Sequence, residues 1–119
     1  MKTKLLLVED DGNARQAIAS YFESVGYEVR SADSCRQAIR TGLEFDPDCL
    51  LSDWHLDGGL DGVELAKLLR ILYPRIRIVL MTAYGVEELR RCSENLSVRA
   101  FVEKPISLER LQEIVAASV

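Results

Sequence analysis

The chain has 119 residues, 48% of them hydrophobic and 29% charged, with a formal net charge of −4. That is enough chain for one globular core and leaves no room for a second domain. The acidic balance and the lack of any run of basic residues exclude a grip on nucleic acid by this segment itself, because phosphate contacts need clustered Lys or Arg.

The opening MKTKLLLVEDD has two lysines, four apolar residues and then three acids. A run so short and so quickly charged is neither a signal peptide nor a membrane span, so a cytoplasmic protein without membrane contact is expected. Leu5 to Val8 reads as the first strand, and Glu9, Asp10 and Asp11 follow it. Ala14, Ile18, Phe22 and Val25 then repeat at helical spacing up to Gly26. Glu28 to Ser31 is the second candidate strand, and Ala38 with Gly42 marks the second helix. Pro47 precedes a third strand, Cys49 to Ser52, which ends at Asp53. Val63, Ala66 and Leu69 give the third helix, closed by Pro74. Ile76 to Met81 and Ala100 to Val102 complete the strands. Ser107 can cap a last helix carrying Leu108, Leu111 and Val115. Five strands and five helices result, and their alternation predicts βα units on a parallel sheet covered on both faces, an α/β fold. Cys35, Cys49 and Cys92 are odd in number and widely spaced with no CxxC pair, which predicts reduced thiols rather than disulfides or a zinc site.

In a doubly wound parallel sheet the carboxyl ends of the strands gather on one edge, where such folds place their ligands. Glu9, Asp10 and Asp11 stand at the first strand end, Asp53 at the third, Thr82 and Ala83 at the fourth, Lys104 and Pro105 at the fifth. Carboxylates crowded into one pocket raise one another's pKa unless a cation neutralises them. Mg²⁺ suits the set, since it accepts two or three carboxylates with a backbone carbonyl and keeps several waters. A lysine ammonium and a threonine hydroxyl beside it match the oxygens of a phosphoryl group. The constellation is one for phosphoryl transfer.

LLLVEDD, CLLSD, VLMTA and FVEKP stand in the order and near the spacing of the receiver domains of bacterial two-component response regulators. The chain resembles that family over its whole length, 1–119, and is similar to its chemotaxis response proteins. The resemblance implies a single flavodoxin-like (βα)5 domain with strand order 2-1-3-4-5. It implies that Asp53 accepts a phosphoryl group from a sensor histidine kinase or phosphotransfer protein, and that Glu9, Asp10, Asp53 and the backbone carbonyl of His55 hold Mg²⁺. Thr82 and the N–H of Ala83 would meet the phosphoryl oxygens, and Lys104 would pair with them. It further implies a cis Lys104–Pro105 bond and an aromatic switch at Phe101, here without a tyrosine hydroxyl. The output would be a changed surface over the fourth helix, fifth strand and fifth helix, offered to an effector domain or a second copy. Such a domain catalyses only its own phosphoryl transfer and slow self-dephosphorylation, and is not otherwise an enzyme. His55 and Tyr84 fall where family members tune the access of water to the acyl phosphate, although both also read as ordinary exposed loop side chains.

Two other readings stand beside this one. Asp53, Asp57, Gly58 and Glu64 occupy places one, five, six and twelve of a calcium-binding loop, D-x-[DN]-x-[DN]-G-x₅-E. Against it, DPDCLLS reads as a strand where that loop needs a helix, and His55 takes a place that wants oxygen. A receiver-like interaction module that is never phosphorylated is the second reading, opposed by the intact acids and lysine. The stretch after Asp53 departs from the family pattern: Asp57 replaces a proline and one extra residue precedes Gly62. The shape of the 57–62 loop is therefore left open.

Overall fold

The computed structural model describes residues 1–118. Its elements alternate as β1 (Lys4–Val8), α1 (Gly12–Ser24), β2 (Glu28–Ala32), α2 (Cys35–Phe45), β3 (Cys49–Asp53), α3 (Gly62–Leu72), β4 (Arg77–Thr82), α4 (Val86–Cys92), β5 (Ala100–Glu103) and α5 (Leu108–Ala117). All strand pairs are parallel, and the sheet runs β2-β1-β3-β4-β5. This is the order implied by the resemblance.

Burial explains why the apolar runs are uninterrupted. The three inner strands are covered on both faces, so consecutive side chains such as Leu5, Leu6, Leu7 and Val8 are all fully buried. Leu6, Val8, Leu50, Ile78 and Leu80 pack on one face with Ala66 and Leu69 of α3 and Leu89 of α4. Leu5, Leu7, Leu51, Val79 and Met81 pack on the other with Ile18 and Phe22 of α1 and Leu111 and Val115 of α5. The edge strand β2 buries only Ala32 fully, which is why its sequence is the most polar of the five.

Polar side chains fix the helix starts. Asp11 accepts from Ala14 N at 2.9 Å, Ser34 from Gln37 N at 3.2 Å, and Ser107 from Arg110 N at 3.1 Å. Val25, expected on the apolar stripe of the first helix, instead lies just past α1 as its cap and is exposed. Ile76 is buried but precedes β4 rather than opening it. Cys35 and Cys49 are buried and Cys92 exposed, all three as free thiols. No helix among the described residues is long and apolar enough to cross a membrane.

The loop after β3 separates the two readings of residues 53–64. Asp53 is the last residue of a strand with all five positions buried, so no helix enters there. Glu64 is committed to a capping box, its carboxylate accepting from Asp61 N at 3.0 Å while Asp61 accepts from Glu64 N at 2.9 Å. The calcium-loop ligand set is therefore not assembled. Gly58 and Gly59 absorb the extra residue with φ of 78° and 128°, a region other residues enter at a cost. Gly62 then returns the chain to the sheet, donating to Trp54 O at 2.7 Å. A Cβ there would lie 2.1 Å from the Asp53 carbonyl oxygen. Gly62→Ala should cost about 1–3 kcal/mol in urea denaturation, since backbone rather than a pliable side chain must yield. An unchanged midpoint would show that α3 can start elsewhere.

Candidate functional site: an acid pocket at the carboxyl edge of the sheet

The parallel register delivers the site. Glu9 directly follows β1, Asp53 ends β3, Thr82 ends β4, and Lys104 directly follows β5. Lys104 Nζ lies 2.9 Å from Glu9 Oε1 and 2.8 Å from Asp53 Oδ1, bridging two carboxylates at the ends of the adjacent strands β1 and β3. Glu9 and Asp53 are both buried, at 1% and 7% exposure, so this pair is held largely out of water. Asp53 Oδ1 is also among the buried polar atoms with no aligned hydrogen-bond partner. The ammonium is close to that oxygen without satisfying it directionally.

Crowding sets the protonation. Burial, then the hydrogen bond and charge of Glu9, push the Asp53 carboxyl up to about 7, against the opposing pull of Lys104. Burial would also raise Glu9, but hydrogen bonds to Asp53 and Lys104 outweigh it and hold its carboxyl below the ordinary value. Burial lowers the Lys104 ammonium, and its bonds to Asp53 and Glu9 more than reverse that. Asp10 is raised by burial, by Glu9 and by the charge of Asp57. Asp57, the residue standing in place of the family's proline, thus adds its field to the acid cluster.

The same crowding suits a cation. One carboxylate oxygen from each of Glu9, Asp10 and Asp53 can be drawn from a set lying within 4.8 Å of one another. Hard oxygen donors at that spacing, one of them unsatisfied, fit a small divalent ion. Asp11, by contrast, is spent on capping α1.

Beside Asp53 lies a cavity of about 170 Å³ lined by Asp53, His55, Met81, Thr82, Ala83, Tyr84 and Lys104. The Thr82 hydroxyl donates to Tyr84 O at 2.5 Å and accepts from Tyr84 N at 3.3 Å, so it is engaged by its own turn. Ala83 is exposed at the rim. The His55 ring sits between Trp54, 4.4 Å away between centroids, and Tyr84, 5.8 Å away. This aromatic row joins the β3–α3 and β4–α4 loops and was not expected from the sequence, because the two loops are distant in the chain. The Lys104–Pro105 peptide is cis. Phe101 lies on β5 away from the acids, half-buried against the core.

Comparison with known proteins decides the family. The sequence pattern of the response regulator receiver domain matches residues 5–116. The chain belongs to the response regulator receiver family. Among curated relatives, it is 29% identical to the sporulation initiation phosphotransferase F of Bacillus subtilis over 97% of this chain and 92% of that protein. It is 32% identical to the regulatory protein AtoC of Escherichia coli and 33% to the phosphate regulon regulator PhoB of Pseudomonas aeruginosa. Those matches cover 94% and 90% of this chain but 24% and 47% of the relatives, so the chain spans a quarter to a half of their length. A chemotaxis protein CheY4 structure from Vibrio cholerae superposes with a TM-score of 0.93 at 23% identity, each chain covered completely, and shows the shared fold. The chain is thus a receiver domain of the two-component response regulators, with the CheY-like α/β architecture.

Asp53 carries a linked stability effect. An acid whose folded pKa is raised contributes nothing below its unfolded value, near 4, and destabilises the folded state increasingly as pH rises toward the folded value of about 7. Without divalent metal, Asp53→Asn should therefore raise Tm at pH 8 by about 3–10 °C, and the gain should shrink by pH 5. Calorimetry showing equal Tm values at pH 8 would mean that Asp53 is not held under this pressure.

Proposed function

We propose that this receiver is phosphorylated on Asp53 by a phosphohistidine of a sensor histidine kinase or phosphotransfer protein, and that residues 1–119 form one such domain acting in the cytoplasm. The observation that carries the reading is Lys104 reaching Asp53 and Glu9 together from the far strand. An isolated acceptor carboxylate would be a weak nucleophile facing a charged donor. Here an ammonium 2.8 Å away stands ready for the negative charge of the incoming group.

The carboxylate oxygen of Asp53 attacks phosphorus, the P–N bond to the donor imidazole breaks, and the imidazole leaves with the bond's electron pair. Lys104 pairs with a phosphoryl oxygen, and Thr82 and the Ala83 N–H receive the others. Glu9, Asp10 and Asp53, with the His55 carbonyl, would hold Mg²⁺, whose charge offsets that of the transferring group when bound. Asp53 must give up the proton it retains near neutrality, and a cation among these acids favours that loss. His55 and Tyr84 wall the cavity where water would reach the product, which supports a role in the lifetime of the acyl phosphate. The same domain does no other catalysis. Its phosphorylated face at α4, β5 and α5 would meet an effector domain or a second copy, not nucleic acid or membrane directly.

Three outcomes test this reading. Acetyl phosphate with Mg²⁺ should add one phosphoryl group by mass spectrometry, and Asp53→Asn should add none. Modification that survives in the mutant would move the acceptor elsewhere, whereas no modification of the wild type by acetyl phosphate or a kinase would favour an interaction module. Mg²⁺ should perturb the fluorescence of Trp54, which is buried and directly follows Asp53 in the chain. Selective submicromolar response to Ca²⁺ would revive the calcium reading. Finally, Thr82→Ala should still accept phosphate but lose most of the phosphorylation-induced chemical-shift change between Tyr84 and Val102. Full retention of those shifts would disconnect the threonine from the output face.

A further inference from the structure

Phe101 and Thr82 occupy one face of the sheet. The register pairs Phe101 with Leu80 and Glu103 with Thr82, and side chains two residues apart on a strand point the same way. The Phe101 ring thus lies one pleat repeat behind the threonine, on the side of Leu80. Its inner edge packs on the core cluster that includes Leu80 and Leu89. Its outer side is covered by the guanidinium of Arg90, whose central carbon stands 4.8 Å from the ring centroid. That distance is within the range of a cation–π contact.

Arg90 has little else to hold it. Its Nε is 3.7 Å from Glu87 Oε1, but the two side chains are 53% and 80% exposed, so water and salt weaken the pair. The helix that carries it has seven residues and begins after Gly85, a cap residue that offers no side-chain hydrogen bond. Leu89 anchors this helix to the core, while Arg90 reaches across to β5. The ring is therefore the arginine's main structural partner, and the arginine is the ring's outer cover.

We propose that Arg90 is a latch on the aromatic switch. It holds the Phe101 ring outward in the unphosphorylated domain and is released when the ring turns in, so that ring movement is converted into a freed cation on α4. The latch rests on the aromatic switch at Phe101 that the family resemblance implies, and on the proposed phosphorylation of Asp53, and adds the element that sets the ring's resting position. A contact made in one state alone biases the equilibrium toward that state by its own strength. For an exposed cation–π pair this is about two- to fivefold in the outward-to-inward ratio.

The test uses NMR of the whole domain, with beryllofluoride and Mg²⁺ as the phosphoryl mimic. In the unloaded wild type the Arg90 side-chain Nε–H signal should be shifted by the ring current of Phe101, and loading Asp53 should abolish that shift. Arg90→Met keeps the stem and removes the charge. It should move the unloaded Phe101 ring signals toward their loaded positions, by about two- to fivefold in inward population. Arg90→Lys, which retains a cation, should fall between. Loading is checked independently by acetyl phosphate and mass spectrometry. If Asp53 cannot be loaded, the phosphoacceptor reading falls and the latch with it. If it loads while the Arg90 signal stays put, or if Arg90→Met leaves the Phe101 signals unchanged, the latch alone is overturned.

Discussion

Two buried carboxylates share one ammonium, and most of the carboxyl edge is arranged around that imbalance. Glu9, Asp10 and Asp53 bring three negative charges when ionised, and Lys104 returns one, leaving a formal −2 in which the Glu9 and Asp53 charges are buried and Asp10 only partly so. The protein can relieve that excess by keeping a proton on Asp53, whose carboxyl is pushed up to about 7 by burial first and by Glu9 second. A divalent cation relieves it more completely and leaves the carboxylate free to act. The residual charge, the unsatisfied Oδ1 and the spacing of the acids are therefore three expressions of one constraint. Asp57 sharpens it from outside, since its charge raises Asp10 further.

That imbalance is affordable because the sheet beneath it is apolar without interruption. β1 and β3 are buried on both faces, so their carboxyl ends are rigidly placed and cannot swing their acids into solvent. Gly62 locks the β3 end from the other side, its backbone pressed against the Asp53 carbonyl. Stability is concentrated in the strands. The polar, lightly capped pieces lie at the loops and at α4, where the proposed switch requires movement.

The sequence exposed this plan where periodicity and position coincide. Uninterrupted runs such as LLLV and CLLS can only be central strands, and the acids and lysine follow them directly, so Glu9, Asp53, Thr82 and Lys104 were legible as one edge. Strand order was not derivable from those runs and came with the family resemblance. The Asp61–Glu64 capping box was present as residues three apart, yet the calcium pattern claimed Glu64 as a ligand. Deciding between them needed the fact that Asp53 is in a strand. The Trp54, His55 and Tyr84 row and the Arg90 contact with Phe101 left no periodic signature, because each joins loops or elements through tertiary geometry alone.

Under the proposed switch, a phenylalanine at position 101 changes what holds the resting state. A tyrosine could be kept outward or inward by hydrogen bonds of its hydroxyl, whereas a phenylalanine ring has only its faces and edges to offer. Its inner edge is satisfied by the core in this structure, so any bias between conformations must come from the outer face. Arg90 occupies that face. Meanwhile the Thr82 hydroxyl is tied to the backbone of Tyr84, and would have to leave those bonds to serve a phosphoryl oxygen as proposed. The resting state is therefore held at two points on the same face of the sheet, one a hydrogen-bonded turn and the other a cation on a ring. Neither contact is strong by itself, which suits the proposed switch, whose two states would lie within a few kcal/mol of each other for one charged group to choose between them.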